Sequence, residues 1–157
     1  MTLSEFKELS PDGTYKSSGC TDDQNDGVVR CEWSNIEIAH YSSGLGTYRF
    51  IKPSNSSDPK LFEIFISLPS HGFQDVFDGL SKKFGKPKKI KKDEVQNRIG
   101  NRFENYRVEW NNGISSIEIA QRFSSIDIMS IRYEHIKLSR HYYREAEKKS
   151  APPSEKF

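Results

Sequence analysis

Apolar residues in this chain recur with two periods. In the most regular stretch Phe73, Val76, Phe77, Leu80 and Phe84 fall at i, i+3, i+4, i+7 and i+11. That spacing puts one apolar stripe along a helix. Gly85 and Pro87 supply the stop signal behind it. At the other end of the chain Thr2-Leu3-Ser4-Glu5 has the form of a capping box, which predicts a short helix over residues 3–9 using Leu3, Phe6 and Leu9. Elsewhere the period is two, as in a half-buried strand. Val29, Cys31 and Trp33 alternate with Arg30 and Glu32, and Ile36 and Ile38 continue with shifted parity, so a bulge or tight turn is expected at Ser34-Asn35. Tyr48–Lys52 reads as a second strand and Leu61–Leu68 as a third, with Phe62, Ile64, Ile66 and Leu68 on one face. Tyr106, Val108 and Trp110 begin a second group. Asn111-Asn112-Gly113 is a strong hairpin turn, followed by Ile117 and Ile119 and then by Ile126 to Tyr133.

Between these elements lie a polar loop over 10–27, a Ser/Asn-rich turn at Pro53–Pro59 and a basic, irregular stretch over 86–102. A charged helical pattern around Ile136, Tyr143 and Ala146 precedes a flexible tail at 150–157. The expected fold is α+β. It has a mainly antiparallel sheet of about six strands, one amphipathic helix packed on a face, and short terminal helices. Residues 1–149 form one domain.

The two strand groups echo each other. Glu32-Trp33 is followed by Ile36-Glu37-Ile38-Ala39, and Glu109-Trp110 by Ile117-Glu118-Ile119-Ala120. A tandem α-βββ duplication with halves 1–70 and 71–149 accounts for this if four residues are inserted at the second hairpin. Ordinary strand composition accounts for it as well.

Composition agrees with a strand-rich chain. Ile is twice as common as Leu, Phe is abundant and Ala is scarce. With 29% charged residues and a mean hydropathy of −0.78, the core is modest. The formal net charge of +2 gives no global pull toward nucleic acid or an anionic membrane. No apolar run approaches the roughly 20 residues that span a bilayer.

Cys20 and Cys31 flank an Asp-, Asn- and Gly-rich loop that can turn back on itself, so a disulfide is expected. That places the protein in the periplasm or outside the cell, its leader removed ahead of Met1. Asp22-Asp23-Gln24-Asn25-Asp26-Gly27 looks faintly like a calcium loop, but the position that needs a bidentate Glu is Trp33. No metal or cofactor is expected.

Candidate chemistry is sparse. The four histidines, His40, His71, His135 and His141, form no metalloprotease spacing, and His135 and His141 are expected on different sides of a helix. Glu37 and Glu118 in the matching strands are candidates for an acid–base pair across the sheet, though alternation puts them among solvated glutamates. The basic stretch is the main candidate binding feature. Lys82 and Lys83 open it, and the candidate binding residues are Lys86, Lys88, Lys89, Lys91, Lys92, Arg98 and Arg102 with the aromatics Tyr106 and Trp110. Phosphates or an anionic surface would suit it. Tyr41, Tyr48, Tyr133, Tyr142 and Tyr143 add to more aromatic surface than a small core hides, which suits a binding face.

The segments "FQDVFDGLSKKFGKPKK", "VQNRIGNRFENYRVEW" and "ISSIEIA" resemble small bacterial envelope proteins of periplasmic or lipoprotein type. The helix-then-strands unit is similar to β-lactamase-inhibitor-protein-like domains and to small outer-membrane assembly lipoproteins. That resemblance implies binding to other proteins without catalysis. The expected function is therefore a non-catalytic protein-binding module of the bacterial envelope, as an inhibitor, immunity-type or assembly accessory protein. The alternatives are a small hydrolase using a surface carboxylate or histidine, and a binder of nucleic acid or of an anionic membrane surface through 82–102.

Overall fold

The computed structural model describes residues 1–9, 17–23, 27–53 and 55–150. The elements in chain order are α1 (Leu3–Glu8), β1 (Ser17–Asp23), β2 (Val28–Ile38), β3 (Tyr41–Ile51), β4 (Lys60–Pro69), α2 (Phe73–Phe84), β5 (Lys89–Gln96), β6 (Arg102–Asn111), β7 (Ser115–Ala120), β8 (Ile128–His135) and α3 (Ile136–Ser150). The fold is α+β. All eight strands join one antiparallel sheet in the order β1-β2-β3-β4-β8-β7-β6-β5. The expected count of about six omits the two edges. β1 lies inside the stretch read as a polar loop, and β5 inside the basic segment read as irregular. Both are polar strands, and an edge strand is recruited by its neighbour's backbone hydrogen bonds rather than by its own side chains. The flexible tail expected over 150–157 starts one residue too early, because Ser150 is the last residue of α3; 151–157 lie outside the described residues, as do Gln24, Asn25 and Asp26 of the faint calcium loop.

A helix followed by four strands occurs twice, and the two runs meet where β4 pairs with β8 from Glu63↔Glu134 to Pro69↔Ile128. The unit thus holds four strands rather than three. The sequence echo does not follow it. Ile36 and Ile38 are the end of β2, the second strand of its run, whereas Ile117 and Ile119 are in β7, the third of its run.

The helices divide the core. α1 and α2 lie on one face of the sheet and α3 on the other. Thr2 caps α1 through a reciprocal box with Glu5 and aims Phe6 into the sheet, where it is buried. Its ring centroid lies 4.3 Å from that of Trp33, 4.9 Å from Tyr48 and 5.0 Å from Phe50. α2 presses Phe73 and Val76 onto Leu68, Val108, Trp110, Ile119 and Met129. Gly85 takes φ +80° after its last turn, where a Cβ would be strained.

Two local irregularities decide which side chains face which helix. Asn35 adopts φ +58° with no change of β2–β3 register, and the apolar positions change parity across it. Trp33 and Ile36 therefore share a face, and the Ile36 Cδ1 lies over Gly46 beside Ile66 and Tyr48. The second is a register shift opposite Arg49-Phe50 in β4. It turns Phe62 away from Ile64, Ile66 and Leu68, contrary to the alternation read from the sequence. Phe62 packs instead with Val28 and Ile51 under Leu138 and Tyr142 of α3.

Candidate functional site

The candidate basic residues are dispersed rather than gathered into one patch. Lys86 and Lys88 sit between α2 and β5, at the rim of a cleft floored by Trp110. Within β5, alternation sends Lys89 and Lys91 to the α3 face, opposite Glu109 and Arg107, and Lys92 to the other face, opposite Tyr106. Carboxylates then balance much of this charge. Lys92 pairs with Glu104, which raises its ammonium above the usual range, and its Nζ stands 5.5 Å from the Tyr106 ring centroid. Lys91 lies 3.7 Å from Asp93, and Arg102 lies 3.7 Å from Glu94. Arg98 is in the exposed β5–β6 turn, where Asn97 Oδ1 accepts from Asn101 N at 2.8 Å. Lysines of this kind on an edge also discourage edge-to-edge pairing.

The acid–base pair suggested by the matching strands does not assemble. Glu37 is in β2 and Glu118 in β7, four inter-strand steps apart. At roughly 4.8 Å per step that is about 19 Å. Glu37 faces the solvated His40 of the β2–β3 turn at 4.0 Å, and Glu118 lies 3.9 Å from Arg107. Among the described residues, no three His, Cys, Asp or Glu side chains stand at metal-ligand spacing.

The most strongly coupled charges are centred on Glu63, which is 6% exposed. Its Oε1 accepts from Arg49 Nη1 at 2.7 Å. Its Oε2 accepts from Arg132 Nη2 at 2.7 Å and from the Tyr143 hydroxyl at 3.2 Å. Burial by itself would raise the carboxyl pKa, but the hydrogen bonds and charges of the two guanidiniums outweigh it and hold the group below its ordinary value. The Arg49 guanidinium also stacks 4.6 Å from the Tyr142 ring centroid. α3 covers one side of this network, leaving Arg132 and Tyr143 partly exposed, and Ser139 Oγ donates to the Phe62 carbonyl at 3.4 Å. Its role is to fasten α3 to the sheet.

An accessible concave surface lies beside that helix. Lys137, Arg140, His141, Arg144 and Lys148 recur at i, i+3, i+4, i+7 and i+11 along α3. All five are exposed. With Ile114, Ile136 and His135 they line a groove of about 790 Å³ against the β6–β7 turn. Among the described residues Lys137, Arg140 and Arg144 enter no ion pair. Glu145, the one carboxylate among the described residues lining the groove, is bound 2.8 Å from Lys148, which lowers its pKa. On the far side of Arg140 and Arg144 a second groove of about 530 Å³ opens onto Asn111, Ser116 and Glu134 of the sheet. His135 and His141, expected to diverge, both line the first groove, because His135 ends β8 immediately before the helix begins. The α3 stripe was missed by sequence reasoning, although its spacing was legible. The apolar pattern of Ile136, Tyr143 and Ala146 marks the helix without marking its cationic face.

Cys20 and Cys31 form the expected disulfide, joining directly opposed residues of β1 and β2. No helix among the described residues is long and apolar enough to cross a membrane. Comparison with protein-family models, curated proteins and solved structures finds no match to this chain.

Proposed function

We propose that the chain is a non-catalytic protein-binding module of the bacterial envelope, and that it takes an acidic protein surface against α3 and the neighbouring open sheet. The observation that carries this reading is the cationic wall of α3, with Lys137, Arg140 and Arg144 unneutralised above an uncovered polar sheet face. The sheet beside the wall mixes signs, with Arg107 and Lys91 among Glu109, Glu118 and Glu134. A continuous phosphate backbone would meet those carboxylates along its path, whereas a protein surface complements both signs. A groove of this size and openness fits a chain segment better than a small molecule. The disulfide supports an oxidising compartment.

The test is an affinity capture from a periplasmic fraction using the natural chain and Arg140→Glu/Arg144→Glu. The expected result is a specific partner recovered at low salt, weakened by high salt and lost with the double variant. Capture that is identical for both baits would overturn the reading, as would capture of nucleic acid alone.

A further inference from the structure

A separate concavity opens on the face of the sheet opposite α3, beyond the last turn of α2, with a volume of about 400 Å³. Its floor is built from three adjacent strands. Trp110 pairs with Ile117, and Ile117 with Tyr133, so the three side chains lie side by side. Phe84, 48% exposed, forms the wall. The polar atoms of this floor are already engaged. Trp110 Nε1 donates to the Gly85 carbonyl at 2.9 Å, and the Tyr133 hydroxyl shares a hydrogen bond with Ser115 Oγ at 3.1 Å. Trp110 is itself 5% exposed, so what remains open is chiefly the Phe84 ring with parts of Ile117 and Tyr133.

The rim has a different character. Lys86 and Lys88 are exposed, and among the described residues neither enters an ion pair. The two neighbouring amides are committed elsewhere. Asn111 bonds Glu109 Oε1 and the Gly113 N–H, while Asn112 Oδ1 accepts from the backbone of Ile114 and Ser115. Among the described residues no carboxylate lines the cleft. An apolar floor with two uncompensated ammonium groups at its edge is complementary to one kind of molecule. The floor removes an apolar body from water, and the rim attracts a negative head that stays hydrated.

We propose that this cleft binds a small amphiphile with an apolar body and a single anionic head, such as a fatty or aromatic carboxylate. The site is independent of the protein-binding surface, which lies across the sheet on α3.

The probes are decanoate, naphthoate and the neutral analogue decanol, each titrated into the full chain. Trp33 packs on Phe6 in the other cluster, so Trp33→Phe leaves Trp110 as the fluorescent reporter at the cleft. Calorimetry on the natural chain repeats the comparison without any substitution. The expected result is saturable binding of decanoate or naphthoate below about 1 mM. Which of the two binds tighter tells the fatty from the aromatic source. Decanol should bind about tenfold more weakly than decanoate. Lys86→Ala/Lys88→Ala, at two exposed positions, should weaken carboxylate binding about tenfold and leave decanol unchanged. Absence of saturation with both carboxylates would overturn the proposal. Equal affinity for decanoate and decanol, or an undiminished affinity in the lysine variant, would overturn it too.

Discussion

Glu63 shows how much one side chain decides in this protein. It is an acidic residue at a core position, flanked in sequence by Phe62 and Ile64, and it is tolerated because two arginines from β3 and β8 reach it. Removing its charge leaves both guanidiniums facing each other over a neutral amide. Glu63→Gln should therefore cost about 3 kcal/mol of folding stability, measured by urea denaturation at neutral pH. The pH dependence follows from the direction of the shift. The folded carboxyl is held below its ordinary value of 4.5, so its contribution is complete above that value. It is withdrawn as the pH falls through the lower, folded value. The gap between the natural chain and Glu63→Gln should accordingly narrow on acidification below about pH 4. A gap that stays constant to lower pH would show that the carboxylate charge is not what the network uses.

Among the elements, β1 depends most on support from outside its own sequence. It is an edge strand and a polar one. Its partner β2 holds it through a ladder from Ser17↔Trp33 to Asp23↔Val28, and Cys20–Cys31 clamps that ladder in mid-strand. Cys31 is fully buried with Phe6, Val29, Tyr48 and Phe50, so the clamp also anchors the α1 cluster. Reduction, or the double substitution Cys20→Ser/Cys31→Ser, should lower stability by about 2–3 kcal/mol in the chain-entropy account of so short a loop. Hydrogen exchange should show the loss of protection concentrated in β1 rather than in β4 or β8. Uniform loss over the whole sheet would mean the bond supports the fold globally. β5, the opposite edge, has no such clamp. Among the described residues it pairs only with β6, and lysines on such an edge disfavour pairing with another chain.

At the scale of the whole molecule the sheet is continuous through its middle. β4 and β8 pair over seven residues, and Ile64 packs against both the α1 and the α2 clusters. Splitting the chain near residue 70 would open two long apolar edges. The halves should therefore unfold together. Trp33 reports on the α1 half and Trp110 on the α2 half, so Trp110→Phe and Trp33→Phe variants read each half separately. Once each variant's own stability change is corrected by far-UV circular dichroism, fluorescence and dichroism midpoints should coincide in both. Distinct midpoints for the two halves within one variant would mean two independent folding units. The same continuity leaves two surfaces on opposite faces of one rigid layer, the α3 grooves on one side and the Trp110 cleft on the other.

What this sequence determined alone was whatever rests on neighbours a few residues apart. The α2 stripe, the Thr2–Glu5 cap, the Asn-Asn-Gly turn and the closeness of Cys20 to Cys31 are all set by local spacing, because a helical turn, a cap or a short loop is closed by the residues within it. The tertiary structure decided the rest. Nothing in KIKKDEVQ marks a strand until β6 offers its free backbone groups to Lys89–Gln96. Phe62 faces α3 rather than α2 because of a register shift against β3, which no single strand encodes. The Glu63 network joins residues 69 and 80 positions apart, and within β5 the basic segment divides because a pleated strand sends neighbouring lysines to opposite faces. Cross-strand register and burial are set by distant partners, so which charges are neutralised and which remain free for a ligand became visible only in the assembled sheet.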